Sequence, residues 1–328
     1  MNLNEFNVIS TIDKAITKDP LLKDFRSRSL YPSSASVVTK TGAVLGSCIR
    51  AEWFRLTDIE NIKPYNDMIF SSSATTLYEE ATQQYIFASG NMWESFVVEL
   101  LKLSDCEVQH HVRWQNPKFH VSGELDIVVK PKGWEKPFIV EMKTTSGYFN
   151  EKKIFKGGIP KDQNLLQCAL YAHHFRNETC GVKLVYIDRG ELSNRTEFNI
   201  EYHEETKKVN GKDAKFAYIK VNGELITDWS INGIYARFKQ LWDHYEQLTI
   251  PKCDFIPTYT EEQLNQKIRS GEITKSHQDK IKSKAISGDY PCHYCKYKNI
   301  CEAINTNNLN KEQLIEAIAR HRSKYYNL

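Results

Sequence analysis

Two closely spaced apolar runs within residues 123–145, GELDIVVKPKGWEKPFIVEMKTT, constrain the fold more than any other part of the chain. The first run alternates apolar and other residues up to Val129, and Pro131–Gly133 ends it. The second run is the short apolar sequence Phe138–Val140. Alternation with a period of two is typical of a half-buried strand, and a Pro-Lys-Gly break is typical of a turn. The sequence therefore predicts two neighbouring β-strands joined by a connection.

Charged residues occupy unusual positions in both predicted strands. Asp126 lies inside the first strand, while Glu141 and Lys143 follow the second apolar run, two residues apart. Because side chains two residues apart on a strand share a face, Glu141 and Lys143 would point the same way. Carboxylates suit a hard cation such as Mg²⁺ or Mn²⁺, and an ammonium beside them would orient or activate a water molecule. The ordinary alternative is a solvated ion pair at the end of a hairpin.

The composition limits the class of protein. Of the 328 residues, 41% are hydrophobic and 26% are charged, which is typical of a folded globular protein. The net charge of +3 predicts that any nucleic-acid-binding surface is a local patch. No apolar run reaches the roughly 18 residues of a membrane-spanning helix, and the start of the chain is too polar for a signal peptide. We therefore expect a cytoplasmic protein without a membrane partner.

The alternation of strand-like and helix-like segments in the central part of the chain predicts an α/β domain with a mixed sheet. The predicted helices cover residues 1–30, a segment that begins at Pro32, and residues 74–103, 161–176 and 231–248. The predicted strands lie within residues 106–145, 182–190 and 196–230. These elements divide the chain into an N-terminal helical segment (1–73), a central core (74–250) and a C-terminal helical region (251–328).

Three further patterns point to a substrate-binding surface. Gln167 and Tyr171 lie four residues apart on a predicted helix, so they share one face. Residues 147–161 mix aromatic rings with lysines, which suits single-stranded nucleic acid because bases stack on rings while lysines meet phosphates. Residues 260–290 are rich in lysine, as a phosphate-contacting strip would be. An ordinary surface loop and a solvated helix face are the respective alternatives.

The chain has eight cysteines, of which three are clustered near its end. Cys292, Cys295 and Cys301 have C-x2-C-x5-C spacing. In a reducing compartment such a cluster indicates metal ligation rather than a disulfide framework. Most thiolate metal sites have four ligands, so the cluster needs a distant partner, for which Cys48 is the best candidate. A [4Fe-4S] cluster and a zinc ion both fit this ligand set. The other cysteines are assigned to the protein core: Cys106, Cys168, Cys180 and Cys253.

Taken together, these motifs resemble those of RecB-type PD-(D/E)xK nucleases that carry an iron–sulfur cluster. The motifs are Asp126, Glu141-Met142-Lys143 and Gln167-x3-Tyr171, combined with one early and three late cysteines. They are similar to the CRISPR-associated RecB-like exonucleases and their phage-borne relatives over residues 31–301. The resemblance implies a restriction-endonuclease-like mixed sheet flanked by helices. It also implies that an iron–sulfur cluster joins the N- and C-terminal parts of the chain.

The resemblance implies a role for each matched residue. The catalytic set would be Asp126, Glu141, Lys143, Gln167 and Tyr171. The ligands of Mg²⁺ or Mn²⁺ would be Glu94, Asp126, Glu141 and the main-chain carbonyl of Met142. The ligands of the [4Fe-4S] cluster would be Cys48, Cys292, Cys295 and Cys301. Lys143 would serve the attacking water, while Gln167 and Tyr171 would position the substrate and Lys143.

Glu94 is the main departure from the family pattern. It stands four residues after Gly90, where the family usually has a histidine, although some relatives in the superfamily have an acid there. An oxygen ligand in place of a nitrogen ligand would favour Mg²⁺ over Mn²⁺. Altered or lost activity is the alternative consequence of this departure.

These features predict a metal-dependent DNA exonuclease that hydrolyses phosphodiester bonds at single-stranded ends, in DNA recombination, repair, or phage- and CRISPR-related DNA processing. The chain has no G-x4-G-K-S/T motif, so unwinding would come from a recombination, helicase or CRISPR adaptation partner protein. Two alternatives stay open. One is a catalytically weakened DNA-binding or assembly module of a recombination or spacer-acquisition complex. The other is a zinc-stabilised nuclease that acts on RNA.

Overall fold

The computed structural model describes residues 29–70, 77–104 and 106–326. The helix predicted for residues 1–30 lies outside this range, except for its last two residues. The described residues form two compact units. The first unit comprises the residues up to Gly46 and those between 77 and 238, and the second comprises residues 47–70 and 239–326. The predicted division of the chain after residues 73 and 250 stays a prediction.

The secondary structure of the described residues is as follows. The strands are β1 (Ser36–Val38), β2 (Val44–Gly46), β3 (Cys106–Asn116), β4 (Val121–Pro131), β5 (Phe138–Thr145), β6 (Val182–Asp188), β7 (Arg195–Val209), β8 (Lys212–Val221) and β9 (Glu224–Ile226). The α-helices of four or more residues are α1 (Ile49–Leu56), α2 (Tyr65–Phe70), α3 (Leu77–Leu103), α4 (Asp162–His174), α5 (Ile231–Glu246), α6 (Glu261–Arg269), α7 (Lys275–Lys282), α8 (Tyr290–His293), α9 (Lys298–Asn305) and α10 (Lys311–Tyr326). Short helical turns lie at Pro32–Ser34, Ile59–Asn61, Pro117–Phe119 and Tyr148–Asn150, the last continuing as a π-helix over Glu151–Lys156. Each helix in the described ranges is too short or too polar to cross a membrane.

Seven strands, β3 to β9, form one sheet in which the spatial order follows the chain order. Neighbouring strands are antiparallel except for β5 and β6, which are parallel. Helix α4 lies between β5 and β6 in the chain, and a parallel pair requires such a crossover connection. The predicted mixed sheet flanked by helices is therefore confirmed, and the arrangement is consistent with a restriction-endonuclease-like fold.

One side of β4 and β5 packs against α3, as the alternation of apolar residues in β4 predicts. The core cluster on this side comprises Val98, Ile127, Val129, Val140 and Met142. None of its members is more than 7% exposed, so the cluster excludes water from this part of the sheet. Asp126 and Glu141 lie between these apolar residues in the chain, and neither is a member of the cluster.

Helix α3 turns a different face to the sheet than its apolar pattern predicts. Val97 and Leu101 pack against the core cluster as expected, but Leu100 is 45% exposed. Glu94 and Val98, four residues apart on one face of the helix, are only 9% and 3% exposed. Because apolar residues occur on several sides of α3, hydrophobicity alone did not identify the buried face. Glu94 is therefore a buried acid on the face of α3 that it shares with Val98.

The residues from Pro32 to Gly46 contain a hairpin that the sequence analysis missed. Pro32–Ser34 forms a short 3-10 turn rather than the start of a longer helix, and β1 pairs with β2 directly after it. Gly46 has a φ of 86°, and a Cβ there would lie only 2.1 Å from the carbonyl oxygen of Ala35. A glycine is needed at this position because the two backbones approach so closely.

Within the second unit, helix α1 is attached to the C-terminal part of the chain. Arg50 donates from Nε to the carbonyl of Pro251 at 2.8 Å and from Nη1 to Oδ1 of Asn305 at 3.0 Å. These contacts join residues that are 201 and 255 positions apart in the chain. Direct protein contacts therefore close the long loop between Cys48 and the C-terminal cysteines.

Candidate active site

Strands β4 and β5 separate where the charged residues lie. Backbone pairing between them ends at Ile127 and Val140, and the same register would next place Asp126 opposite Glu141. Instead of a backbone pair, the Asp126 carboxylate accepts a hydrogen bond from the main-chain N–H of Met142 at 2.8 Å. This side chain takes the place of a backbone partner, so the Asp126 carboxylate is fixed between the two strands.

Glu141 and Lys143 form an ion pair on β5 in which the carboxylate is buried and the lysine side chain is 30% exposed. The Glu141 residue is fully buried, and its Oε1 accepts a hydrogen bond from Nζ of Lys143. The second carboxylate oxygen of Glu141, Oε2, is also buried, and no group in the described ranges meets hydrogen-bond geometry with it, although the nearby side chains of Lys143 and Gln167 oppose the effect of burial on the pKa of this carboxyl. A buried carboxylate oxygen without a donor is unfavourable unless a cation or another donor occupies its free side. The sequence alternative of a solvated ion pair at a hairpin end is therefore wrong.

The electrostatics of this site raise the pKa values of Asp126 and Glu141. Burial, with a further contribution from the nearby Glu141 carboxylate, raises the pKa of Asp126 to about 8, although Lys143 acts in the opposite sense. Burial also raises the pKa of Glu141, again against the effect of Lys143. Glu94 raises the pKa of both carboxyl groups, so it lies close enough to act on them. Three carboxylates crowded in this way favour a bound divalent cation, which would remove their mutual repulsion.

Lys143 stays charged in this environment. Burial opposes the charge on its ammonium, but the neighbouring Glu141 and Asp126 outweigh burial and raise the pKa of Lys143 above its ordinary value. The ammonium therefore acts as a fixed positive charge beside the two carboxylates rather than as a proton acceptor at neutral pH. Such a charge suits the stabilisation of a developing anion or the orientation of an attacking water.

Helix α4 contributes two buried polar side chains next to the site, Gln167 and Tyr171. Gln167 donates from Nε2 to the hydroxyl of Tyr171 at 2.9 Å, and this hydroxyl donates to the carbonyl of Glu124 on β4 at 3.3 Å. Gln167 is 7% exposed and Tyr171 is 1% exposed, so the pair is part of the buried interior. The predicted common face of these two residues is confirmed. Their hydrogen bonds tie α4 to β4 next to Asp126.

Two histidines of β3 join the site through Glu94. His110 Nε2 lies 2.6 Å from Oε1 of Glu94, and His111 Nδ1 lies 3.7 Å from the same oxygen. Because these adjacent histidines lack the H-x3–5-H spacing of a zinc motif, the sequence alone predicts solvated or substrate-facing side chains. The structure corrects this interpretation for His110, whose partner is the buried Glu94. The useful signal was an adjacent histidine pair on a strand next to an acid-bearing helix.

The sequence profile of the PD-(D/E)XK nuclease superfamily matches residues 39–302 of this chain. The chain belongs to this superfamily. No curated protein matches the chain. Members of the PD-(D/E)XK superfamily are metal-dependent nucleases that typically use Mg²⁺ or Mn²⁺, so membership implies a hydrolase that acts on nucleic acid. The matched region contains Asp126, Glu141 and Lys143, and it extends from before Cys48 to just beyond Cys301.

The second unit of this PD-(D/E)XK protein brings distant cysteines together. The sulfur atoms of Cys48 and Cys253 are 3.7 Å apart. Hydrogen bonds from the thiols of Cys292, Cys301 and Cys48 hold the pKa of Cys253 well below its ordinary value. Burial and the nearby Cys253 raise the pKa of Cys295, and the main-chain N–H of Cys295 donates to the carbonyl of Cys292 at 3.2 Å. The structure thus places five cysteines in one neighbourhood.

The sequence interpretation assigned Cys253 to the core, and the structure shows that this assignment is wrong. Cys253 is half-buried and central to the cysteine group. A lone cysteine has no spacing signal, so only the three-dimensional structure reveals its partners. Of the other cysteines assigned to the core, Cys168 is fully buried as expected, Cys106 is half-buried and Cys180 is exposed.

Proposed function

We propose that this PD-(D/E)XK nuclease is a metal-dependent DNA exonuclease that acts on single-stranded ends. The observation that carries the catalytic part is the buried Glu141 carboxylate, which has one oxygen paired with Lys143 and one oxygen without a donor in the described ranges. Asp126 is fixed beside it by the Met142 N–H. This donor set fits a hard divalent cation, because carboxylate and carbonyl oxygens are the ligands such cations prefer.

Each residue has a defined part in the proposed hydrolysis. Asp126, Glu141 and the main-chain carbonyl of Met142 would hold Mg²⁺ or Mn²⁺, with Glu94 as a further carboxylate close by. The bound cation would neutralise negative charge on the scissile phosphate. Lys143, kept charged by the two acids, would orient the attacking water and stabilise charge as it develops. Gln167 and Tyr171 would hold α4 against β4 next to Asp126.

The segment after β5 supports a single-stranded substrate. Tyr148 and Phe149 are 67% and 81% exposed, and their rings contact each other edge to face at a centroid distance of 6.0 Å. Three lysines follow within the π-helical turn: Lys152, Lys153 and Lys156. Exposed rings can stack on unpaired bases, and lysines next to them can contact phosphates. Bases of a duplex are already stacked, so this surface favours unpaired DNA.

The cysteine group supports a structural [4Fe-4S] cluster held by Cys48, Cys292, Cys295 and Cys301. The fit rests on the donor chemistry, because thiolates are the ligands of such clusters and these side chains lie in one neighbourhood. When bound, the cluster would stabilise the second unit by linking its distant chain segments. Iron, sulfide and zinc contents per chain, measured on anaerobically purified protein, distinguish the proposed cluster from zinc. We expect iron and sulfide, and zinc alone would overturn the assignment.

The test of the nuclease proposal is cleavage of end-labelled DNA by the full chain. We expect Mg²⁺ or Mn²⁺ to support shortening of single-stranded DNA from an end, with loss of cleavage in Asp126→Asn. The matched control is Asp213→Asn, which changes an exposed acid on β8 and should leave cleavage unchanged. Internal cuts in circular single strands would overturn the exonuclease assignment, and preferential RNA cleavage would overturn the DNA assignment.

Binding without cleavage by the folded wild-type protein would favour the DNA-binding or assembly module over the nuclease. Glu94, which replaces the usual histidine, would then be the first residue to exchange. Unwinding of duplex ends would require a partner, and a helicase, recombination or CRISPR adaptation protein would supply it in the proposed pathway. Addition of a helicase to a duplex substrate should therefore increase the extent of degradation.

A further inference from the structure

We propose that Glu94, His110 and His111 form a binding site for a transition-metal ion beside the Asp126–Glu141 pair. The three residues offer one carboxylate oxygen and two imidazole nitrogens, all within 4.8 Å of one another. The Nε2 atom of His110 lies 2.6 Å from Oε1 of Glu94, and the Nδ1 atom of His111 lies 3.7 Å from it. Ligand atoms about 2.1 Å from a common metal ion lie roughly 3.0–3.4 Å apart. A modest adjustment of the side chains would therefore bring all three into coordination distance.

The backbone at His111 places the two imidazoles together. Consecutive side chains of a strand normally point to opposite faces. His111 instead has a φ of 56°, and its ring stacks on that of His110 at a centroid distance of 3.7 Å. The pairing of β3 with β4 passes from His110–Ile127 directly to Val112–Leu125, so the position of His111 opposite Asp126 is unpaired. The local break in the ladder thus turns His111 towards Glu94 and its neighbour.

A further carboxylate supports His111. Its Nδ1 atom lies 2.7 Å from Oε1 of Glu124, whose other oxygen is 3.5 Å from Nε of Arg113. A metal ion at Nδ1 would replace the contact with Glu124 and leave this carboxylate within reach of the ion. A carboxylate that orients a metal-binding histidine does so through the nitrogen that does not bind the ion, so Glu124 would act here as a further oxygen ligand.

The donor set selects the class of ion. Imidazole nitrogens suit Zn²⁺, Cu²⁺, Fe²⁺ and Ni²⁺, and Mn²⁺ accepts them beside carboxylates, whereas Mg²⁺ and Ca²⁺ prefer sites made entirely of oxygen. The two histidines would therefore add two nitrogen ligands to the single oxygen ligand that Glu94 supplies to the same ion. Glu94 affects both Asp126 and Glu141 electrostatically, so an ion bound there would also offset the repulsion among the three acids. This second effect rests on the proposed nuclease function, whereas binding of the ion does not.

The test is nitrogen hyperfine coupling to bound Mn²⁺, measured by pulsed electron paramagnetic resonance on the full chain. We expect imidazole coupling in the wild-type protein and in Glu141→Gln, which disables the acidic site. His111→Gln should remove one of the two imidazole couplings and raise the Kd for Mn²⁺ at least about tenfold. His110→Gln should do the same, and it covers the case in which the variant at the left-handed position does not fold. Absence of coupling in the wild type, or coupling unchanged in both variants, would overturn the site.

The matched control is His203→Gln. His203 lies on β7 with its Nε2 atom 3.6 Å from Glu205, but it is not part of a three-ligand group in the described residues. This variant should keep the coupling of the wild type. DNA cleavage with Mg²⁺, measured in parallel, separates the two proposals. Cleavage without nitrogen-coupled Mn²⁺ overturns the second site alone, whereas nitrogen-coupled Mn²⁺ without cleavage by any metal overturns the nuclease proposal alone.

Discussion

The two candidate cofactor-binding regions of this protein are assembled in opposite ways. In the first unit, Asp126, Glu141 and Lys143 come from two neighbouring strands, and strand periodicity places them together. In the second unit, Cys48 meets Cys253 across 205 positions of sequence. The first arrangement concentrates charge in a buried place, which is unfavourable for the folded protein. The second closes a long loop, which is favourable once a cofactor binds.

This contrast separates function from stability. We expect substitutions in the acidic site to affect cleavage strongly and stability weakly, or even in the stabilising direction. We expect substitutions in the cysteine group to affect stability strongly and cleavage only through the loss of folded protein.

Lys143→Ala carries the largest expected effect on cleavage. Removal of a fixed charge aimed at the developing anion commonly lowers kcat by a factor of about 10²–10³. We expect a decrease of this size, with DNA binding retained because Lys143 is mostly buried among the acids. Single-turnover cleavage and a binding titration with a labelled single strand measure the two effects separately.

Lys183→Ala is the matched control for Lys143→Ala. Lys183 lies on the neighbouring strand β6 and pairs with Glu197 at 2.9 Å, so its replacement also breaks an ion pair on the same sheet. Cleavage should stay within about twofold of the wild type, since exposed pairs contribute little. Equal losses in both variants would show that the sheet rather than the charge matters.

Cys301→Ser should have the largest effect on stability. Cys301 is 5% exposed and lies in the cysteine group, so its loss would remove the cofactor and leave only direct protein contacts, such as those of Arg50, to join the distant segments. We expect loss of iron and a decrease in the free energy of unfolding of at least about 2 kcal/mol. Cys180→Ser, which changes an exposed cysteine outside the group, should preserve both properties.

A comparison of Cys295→Ser with Cys253→Ser sharpens the ligand assignment. Resemblance to the iron–sulfur nucleases selects Cys295, whereas the structure places Cys253 next to three other thiols. We expect Cys295→Ser to lose iron and Cys253→Ser to retain it. The reverse result would mean that Cys253 replaces Cys295 as the fourth ligand, and the metal content of both purified variants decides between these outcomes.

The contrast also explains which features the sequence could predict. The alternation around Asp126 and the short run before Glu141 predicted β4, β5 and the closeness of the two acids, because strand periodicity is local. The burial of Glu94 was not predictable, since α3 itself carries apolar residues on several of its sides. The turned backbone at His111 depends on a break in strand pairing, and the position of Cys253 depends on contacts across the whole second unit. Neither leaves a periodic signal in the sequence.

Asp126→Asn tests whether the acidic site reduces stability. Burial and Glu141 raise the pKa of Asp126 from 3.8 to about 8 in the folded, metal-free protein. Between these pH values the unfolded chain releases a proton that the folded protein keeps, so stability falls as pH rises from about 4 to about 8. Asparagine removes this ionisation and keeps an acceptor for the Met142 N–H. At pH 8 we expect the free energy of unfolding of the variant to exceed that of the wild type by roughly 1–3 kcal/mol.

Thermal unfolding of both proteins as a function of pH, with and without Mg²⁺, completes this test. The wild type should gain stability from Mg²⁺ because the ion binds only the folded protein, and the variant should gain little. A variant that is less stable than the wild type at pH 8 without metal would break the proposed separation of function and stability.

Replacement of both Tyr148 and Phe149 by alanine should have the smallest effect, confined to substrate binding. Both rings are largely exposed, so their loss should leave the melting temperature nearly unchanged. Stacking of one base on an aromatic ring contributes about 1–3 kcal/mol, so KM for single-stranded DNA should rise roughly 5- to 100-fold while kcat is preserved. Trp134→Ala, which changes a 50% exposed ring in the turn after β4, is the control that should leave KM unchanged. A decrease in kcat without a change in KM would place these rings in the chemistry of the acidic site, and substrate binding and catalysis would then not be separable within the first unit.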